Sequence, residues 1–99
     1  MQTRITAKST KVSDRTKEYI EQACEKLRLF YDRIIDCEVV VEKQKLETSV
    51  EFIVKVPQQT LVASASTEDE NLFKAVDEAH ERIEVQLKKY RYKQVEHRA

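Results

Sequence analysis

A chain of 99 residues, 40% apolar and 36% charged, has the composition of a single domain with a small core under a heavily charged surface. Eighteen basic residues balance eighteen acidic ones, which argues against indiscriminate binding to nucleic acid, and the absence of glycine excludes a glycine-built phosphate loop. No apolar run is long enough to cross a bilayer and residues 1–6 lack a signal-peptide core, so the expected location is the cytoplasm.

Gln2 to Ala7 alternates polar and apolar residues, with Thr3, Ile5 and Ala7 on one side, and predicts a short strand. After a polar loop Ser13 is placed to cap a helix, and Thr16, Ile20, Ala23, Leu27, Phe30 and Ile34 recur at helical spacing, which predicts a helix to about Phe30. Cys37 to Lys43 reads as a strand with Cys37, Val39 and Val41 sharing a face. Thr48 to Val56 alternates cleanly, and Pro57-Gln58-Gln59 turns the chain into a last strand over 60–66 with Leu61, Ala63 and Ala65 inward.

The final third predicts a second helix from Thr67 to about Lys93, with Leu72, Val76, Ala79, Ile83, Leu87 and Tyr90 in one apolar stripe. Thr67-Glu68-Asp69-Glu70 has the form of a capping box at its start, and residues 94–99 are expected to fray. The order β-α-β-β-β-α predicts an α+β two-layer sandwich, a four-stranded sheet with both helices on one face. A ferredoxin-like unit needs a strand after the second helix, and none is predicted.

Little in the chain suggests catalysis. His80 and His97 fall in helical sequence without a signalled nucleophile, and neither they nor Cys24 and Cys37 have metal-ligand spacing. The cysteines are expected as small reduced core residues. The expectation is therefore no enzyme, no cofactor and no metal.

The charges are unevenly spread. Residues 1–17 carry five basic groups against Asp14, residues 66–81 six acids against Lys74, and residues 82–99 six basic groups against Glu84 and Glu96. Arg82, Gln86, Lys89 and Lys93 fall in one stripe of the second helix, and Arg15, Gln22, Lys26 and Arg33 in one stripe of the first if Arg33 is still helical. Such rows can follow a phosphate backbone while the apolar face stays buried. The plainer alternative is that Arg82 pairs with Glu78, Lys88 with Glu84 and Arg28 with Glu25. Tyr92, interleaved with Lys89, Arg91 and Lys93, is a candidate for stacking on an unpaired base, whereas Tyr90 belongs to the apolar side.

Four segments together resemble the ribosome hibernation promoting factor and ribosome-associated inhibitor family. They are Ile5-Thr6-Ala7, Lys26-Leu27-Arg28-Leu29-Phe30-Tyr31-Asp32-Arg33-Ile34, the junction from Ala63-Ser64-Ala65-Ser66 to Asn71-Leu72-Phe73-Lys74-Ala75-Val76-Asp77, and Gln86-Leu87-Lys88-Lys89-Tyr90-Arg91. The resemblance implies a fold similar to double-stranded RNA-binding domains. It also implies binding to the small ribosomal subunit in the channel used by messenger and transfer RNA, blocking translation in idle ribosomes. Carried over by position, the rRNA-binding residues would be Lys26, Arg28, Arg33, Arg82, Gln86, Lys88, Lys89 and Arg91, and the basic stripe adds Lys93.

The chain departs from the family where Val85 stands for a frequent basic residue, Tyr90 for histidine, and Ala7 and Gln58-Gln59 for glycines. It is expected to be a short form, without the C-terminal dimerisation domain of long members. An alternative reading is a small protein-interaction or dimerisation module that uses Val40, Ile53 and Val62 on the open sheet face.

Overall fold

Period-two burial along the central strands decides which face of the sheet is covered. The computed structural model describes residues 1–98, with side chains through Lys93, in the order β1 (Gln2–Lys8), α1 (Asp14–Leu27), β2 (Asp36–Gln44), β3 (Glu47–Val56), β4 (Gln59–Thr67) and α2 (Phe73–Arg98). The sheet order is β1-β2-β3-β4, with β1 parallel to β2 and the remaining pairs antiparallel. Cys37, Val39, Val41, Val50, Phe52, Val54, Val56, Leu61, Ala63 and Ala65 are buried on one face under both helices, as the alternation predicts. The helices add Ile20, Ala23, Cys24 and Leu27 from α1 and Ala75, Val76, Ala79, Ile83, Leu87 and Tyr90 from α2.

Both hairpins are tight even though no glycine is available. The β2–β3 and β3–β4 connections are the two-residue turns Lys45-Leu46 and Pro57-Gln58, between the pairs Gln44↔Glu47 and Val56↔Gln59. Lys45 takes φ 56 and Gln58 takes φ 69, left-handed values that cost a side-chain-bearing residue about 1 kcal/mol each relative to glycine. Proline before a positive φ at Gln58 suits a type II turn.

Helix α1 begins where its cap predicts. Ser13 Oγ accepts from the Thr16 amide at 3.2 Å. It ends at Leu27, earlier than the periodicity suggests. Fourteen helical residues cover about 21 Å and the seven of β1 about 23 Å. By Leu27 the chain is back level with the start of β1 and has to turn into β2. Arg33 is therefore not helical, and the predicted first-helix stripe stops at Lys26.

Helix α2 starts at Phe73, six residues after the expected cap. Thr67 is instead the last residue of β4, paired with Thr48, and its hydroxyl accepts from the Asp69 amide at 3.1 Å. The helix is opened by Asn71, whose Oδ1 accepts from the Phe73 amide at 2.9 Å. Glu68, Asp69 and Glu70 consequently lie outside the first turn, and the capping box expected from Thr67 and Glu70 is not formed. Asn71→Ala should lower stability by about 1 kcal/mol in urea melts, whereas Glu70→Ala should change it by less than about 0.5. The reverse ranking would restore the capping box. The α2 backbone continues to Arg98, past the expected end near Lys93; the tail expected over 94–99 and His97 lie outside the residues whose side chains are described.

Two core features concern residues first considered for chemistry. Cys24 and Cys37 face each other across α1 and β2 with their sulfurs 3.1 Å apart, both free and buried. The hydrogen bond to Cys37, followed by burial, pushes the Cys24 thiol far above its usual range. His80 stands edge-on to Phe52, with ring centroids 6.0 Å apart and Nε2 enclosed without a partner. No group of three or more potential metal ligands occurs among the described residues, and no described helix is long and apolar enough to cross a membrane.

Candidate nucleic-acid interface

The exit from α1 shapes one side of the site. Beyond Leu27 the winding tightens, with the amides of Arg28, Leu29 and Phe30 bonded to the carbonyls of Glu25, Lys26 and Leu27 at 3.1, 3.1 and 3.0 Å. This turn leaves Arg28 and Leu29 exposed and directs Phe30 and Tyr31 back toward α2. Arg33 follows, exposed, just before buried Ile34 anchors the chain at the entry to β2.

The second side is the C-terminal half of α2. Tyr90 is its last described buried residue, and the described side chains beyond it, Arg91, Tyr92 and Lys93, are exposed. Tyr90 also joins three elements. Its hydroxyl donates to the Pro57 carbonyl at 2.6 Å, and its ring meets Tyr31 edge-on with centroids 5.3 Å apart. Burial and the neighbouring Tyr31 phenol raise the Tyr90 hydroxyl, opposed by the positive charge of Arg33. Lys88 lies 5.1 Å over the Phe30 ring and pairs with Glu84 at 3.2 Å.

The cations of α2 separate onto two flanks. Lys88 and Arg91, three residues apart, occupy the flank toward α1. The predicted stripe of Arg82, Gln86, Lys89 and Lys93 lies on the other flank, above β4. Its first two members are engaged there, with Arg82 Nη1 donating to the Ser64 carbonyl at 2.5 Å and Gln86 Nε2 to the Val62 carbonyl at 2.7 Å. The expected Arg82–Glu78 pair is not formed among the described residues, whereas Lys88–Glu84 and Arg28–Glu25 are, the latter at 3.2 Å. Lys89, Arg91, Tyr92 and Lys93 are exposed, with Tyr92 outward between the flanks.

The α1 stripe contributes less than its spacing suggests. Arg15 stacks 5.7 Å from the Phe73 ring, which is itself stacked on Tyr19 at 4.0 Å. Tyr19 donates to Asp77 at 2.5 Å, and this bond, more than burial, raises the tyrosine hydroxyl. These contacts pin the first half of α1 to the start of α2. Lys26 borders a shallow depression shared with Glu18, Glu21, Gln22 and Glu25, so carboxylates surround it.

The two stripes therefore do not merge into parallel rows. The structure gathers Arg28, Arg33, Lys88, Lys89, Arg91 and Lys93 at the end of the molecule where both helices finish. Among the described side chains, Arg33, Lys89, Arg91 and Lys93 have no carboxylate within 4.0 Å. An exposed set of cations on α2 and on the turn that leaves α1, with Tyr92 among them, suits a phosphate backbone better than a small molecule. The open sheet face offers less: Val40 and Ile53 are half-buried, Val62 is 45% exposed, and Glu38 and Glu51 interrupt the patch. Side-chain anchoring by Tyr90 and the engagement of Arg82 and Gln86 had no sequence signal beyond their helical angles.

A family model described as Sigma 54 modulation protein / S30EA ribosomal protein matches residues 3–95. A ribosome hibernation promoting factor of Azotobacter vinelandii is 30% identical over 96 residues, covering 97% of this chain and 88% of that protein. A ribosome-associated factor Y of Haemophilus influenzae is 32% identical over 95 residues, covering 96% and 87% respectively. Among solved structures, a ribosomal subunit interface protein from Coxiella burnetii superposes with a TM-score of 0.84 at 27% identity, covering 93% of this chain and 99% of that one. The N-terminal domain of Thermus thermophilus Protein Y shares the fold, with a TM-score of 0.77 at 22% identity over 88% of this chain and 94% of that one.

Proposed function

The chain belongs to the Sigma 54 modulation protein / S30EA ribosomal protein family, and from that membership we propose that it is a non-enzymatic ribosome hibernation factor that binds small-subunit rRNA in the channel of messenger and transfer RNA. Occupancy of that channel excludes both ligands, so inhibition is steric and needs no reacting group. It acts in the cytoplasm and needs neither metal nor cofactor. The observation that carries this reading is the cation cluster at the common end of α1 and α2, where Arg28, Arg33, Lys88, Lys89, Arg91 and Lys93 face outward. Lys26 stands at its margin, and exposed Tyr92 is the candidate to stack on a base. Arg82 and Gln86 each have one donor engaged by a β4 carbonyl, and their remaining polar groups complete the proposed contact set.

Neutral overall charge makes the local cluster decisive. Association should depend on phosphate contacts at one end and not on a general field. With about six phosphates neutralised, the logarithm of affinity should fall against the logarithm of salt with a slope of about −4 to −5. Cosedimentation with purified small subunits across a salt series measures that slope. No association at low salt, or a slope near zero, would remove the proposal.

A further inference from the structure

Of the two sheet edges, β1 carries Arg4 and Lys8 within the strand, while β4 carries no charge at all. Residues 56–67 are the longest uncharged run in a chain that is 36% charged. An uncharged edge strand that exposes backbone groups is a template for pairing with another chain, and charge or proline within the strand is the usual deterrent. Strand β4 has neither, since Pro57 precedes it.

Its protection comes from α2. The Ser64 and Val62 carbonyls are alternate acceptors along the edge, and they take hydrogen bonds from Arg82 and Gln86 at 2.5 and 2.7 Å. Four helical residues advance about 6.0 Å and two strand residues about 6.6 Å, so side chains one turn apart match carbonyls two residues apart. With these acceptors taken, an incoming strand cannot complete a ladder.

We propose that Arg82 and Gln86 guard the β4 edge, and that the occupant they exclude is β4 of a second copy of this chain. Antiparallel pairing of two β4 strands about a two-fold axis opposes no like charges, and it brings the exposed Val62 side chains of both copies onto one surface. No other strand of the protein offers an uncharged partner, since β1, β2 and β3 all carry charged residues. The inference does not depend on ribosome binding, because no step of its test involves RNA.

The test compares self-association of the full chain by sedimentation velocity over a concentration series. The wild type should remain monomeric, and Arg82→Ala with Gln86→Ala should associate at least about tenfold more tightly into dimers. Adding Val62→Lys to that double variant should restore the monomer by placing charge on the edge. Should the alanine pair fail to fold, Arg82→Met with Gln86→Met retains the packing and removes the donors, and is expected to dimerise likewise. A donor-free variant that stays monomeric, or one whose dimer persists with Val62→Lys, overturns the proposal. So does a wild-type dimer that Val62→Lys dissociates.

Discussion

Replacing Lys88, Lys89 and Arg91 together by glutamine should weaken binding to small ribosomal subunits about 100-fold near physiological salt. The magnitude follows from counterion release: removing three phosphate contacts lowers the salt slope by about 2 to 3, which at 0.15 M corresponds to roughly two decades in affinity. Stability should change little. All three side chains are exposed, and the loss comprises the Lys88–Glu84 pair and the Lys88–Phe30 contact, together about 1 kcal/mol. The matched control is Lys8, Lys43 and Lys45 changed to glutamine, which removes the same charge at the far ends of β1 and β2. Quantitative pelleting with thermal melts separates the outcomes. If both triple variants lose equal affinity, net charge matters and the cluster does not; if neither loses any, the site lies elsewhere.

The largest effect on stability is expected from Phe52→Ala. Phe52 is fully buried at the centre of β3, in register with Val39 of β2 and Ala63 of β4, and lies beneath His80 of α2. Its ring is the largest fully buried side chain in the core, and small Ala63 beside it cannot fill the space left. Emptying such a site costs about 3–5 kcal/mol, a large share of the roughly 5–15 kcal/mol available to a domain. The melting temperature should drop by about 15 °C or more. Ile53→Ala, one residue along and half-buried on the open face, should cost less than half as much in the same urea and thermal melts. Equal losses would mean that the sheet is packed on both faces.

The strands were legible because one covered face imposes a period of two, and Val50, Phe52, Val54 and Val56 alternate cleanly with Ser49, Glu51, Ile53 and Lys55. Element ends were less so. Thr67-Glu68-Asp69-Glu70 satisfies the local pattern of a helix start, but Thr67 completes the ladder opposite Thr48, and the sheet outweighs the cap. Arg33 is spaced as a helical residue, yet α1 has to stop when it has run the length of β1. The candidate site was legible in composition more than in arrangement. Helical angles place Arg82 and Gln86 on a flank of α2, but which flank overhangs β4 is set by how the helix lies on the sheet, which no local pattern encodes. Nor could spacing alone place Tyr31 against Tyr90, a contact made by a turn that doubles back.

The single parallel ladder bears on the order in which the chain assembles. Gln2 pairs with Asp36 and Lys8 with Glu42, so each β1 residue waits for a partner 34 positions downstream. β2, β3 and β4 meet through turns of two residues and can zip as soon as they are made. The amino-terminal strand, first to leave the site of synthesis, is thus among the last to be fixed, because its closure entropy is repaid only once α1 has folded across.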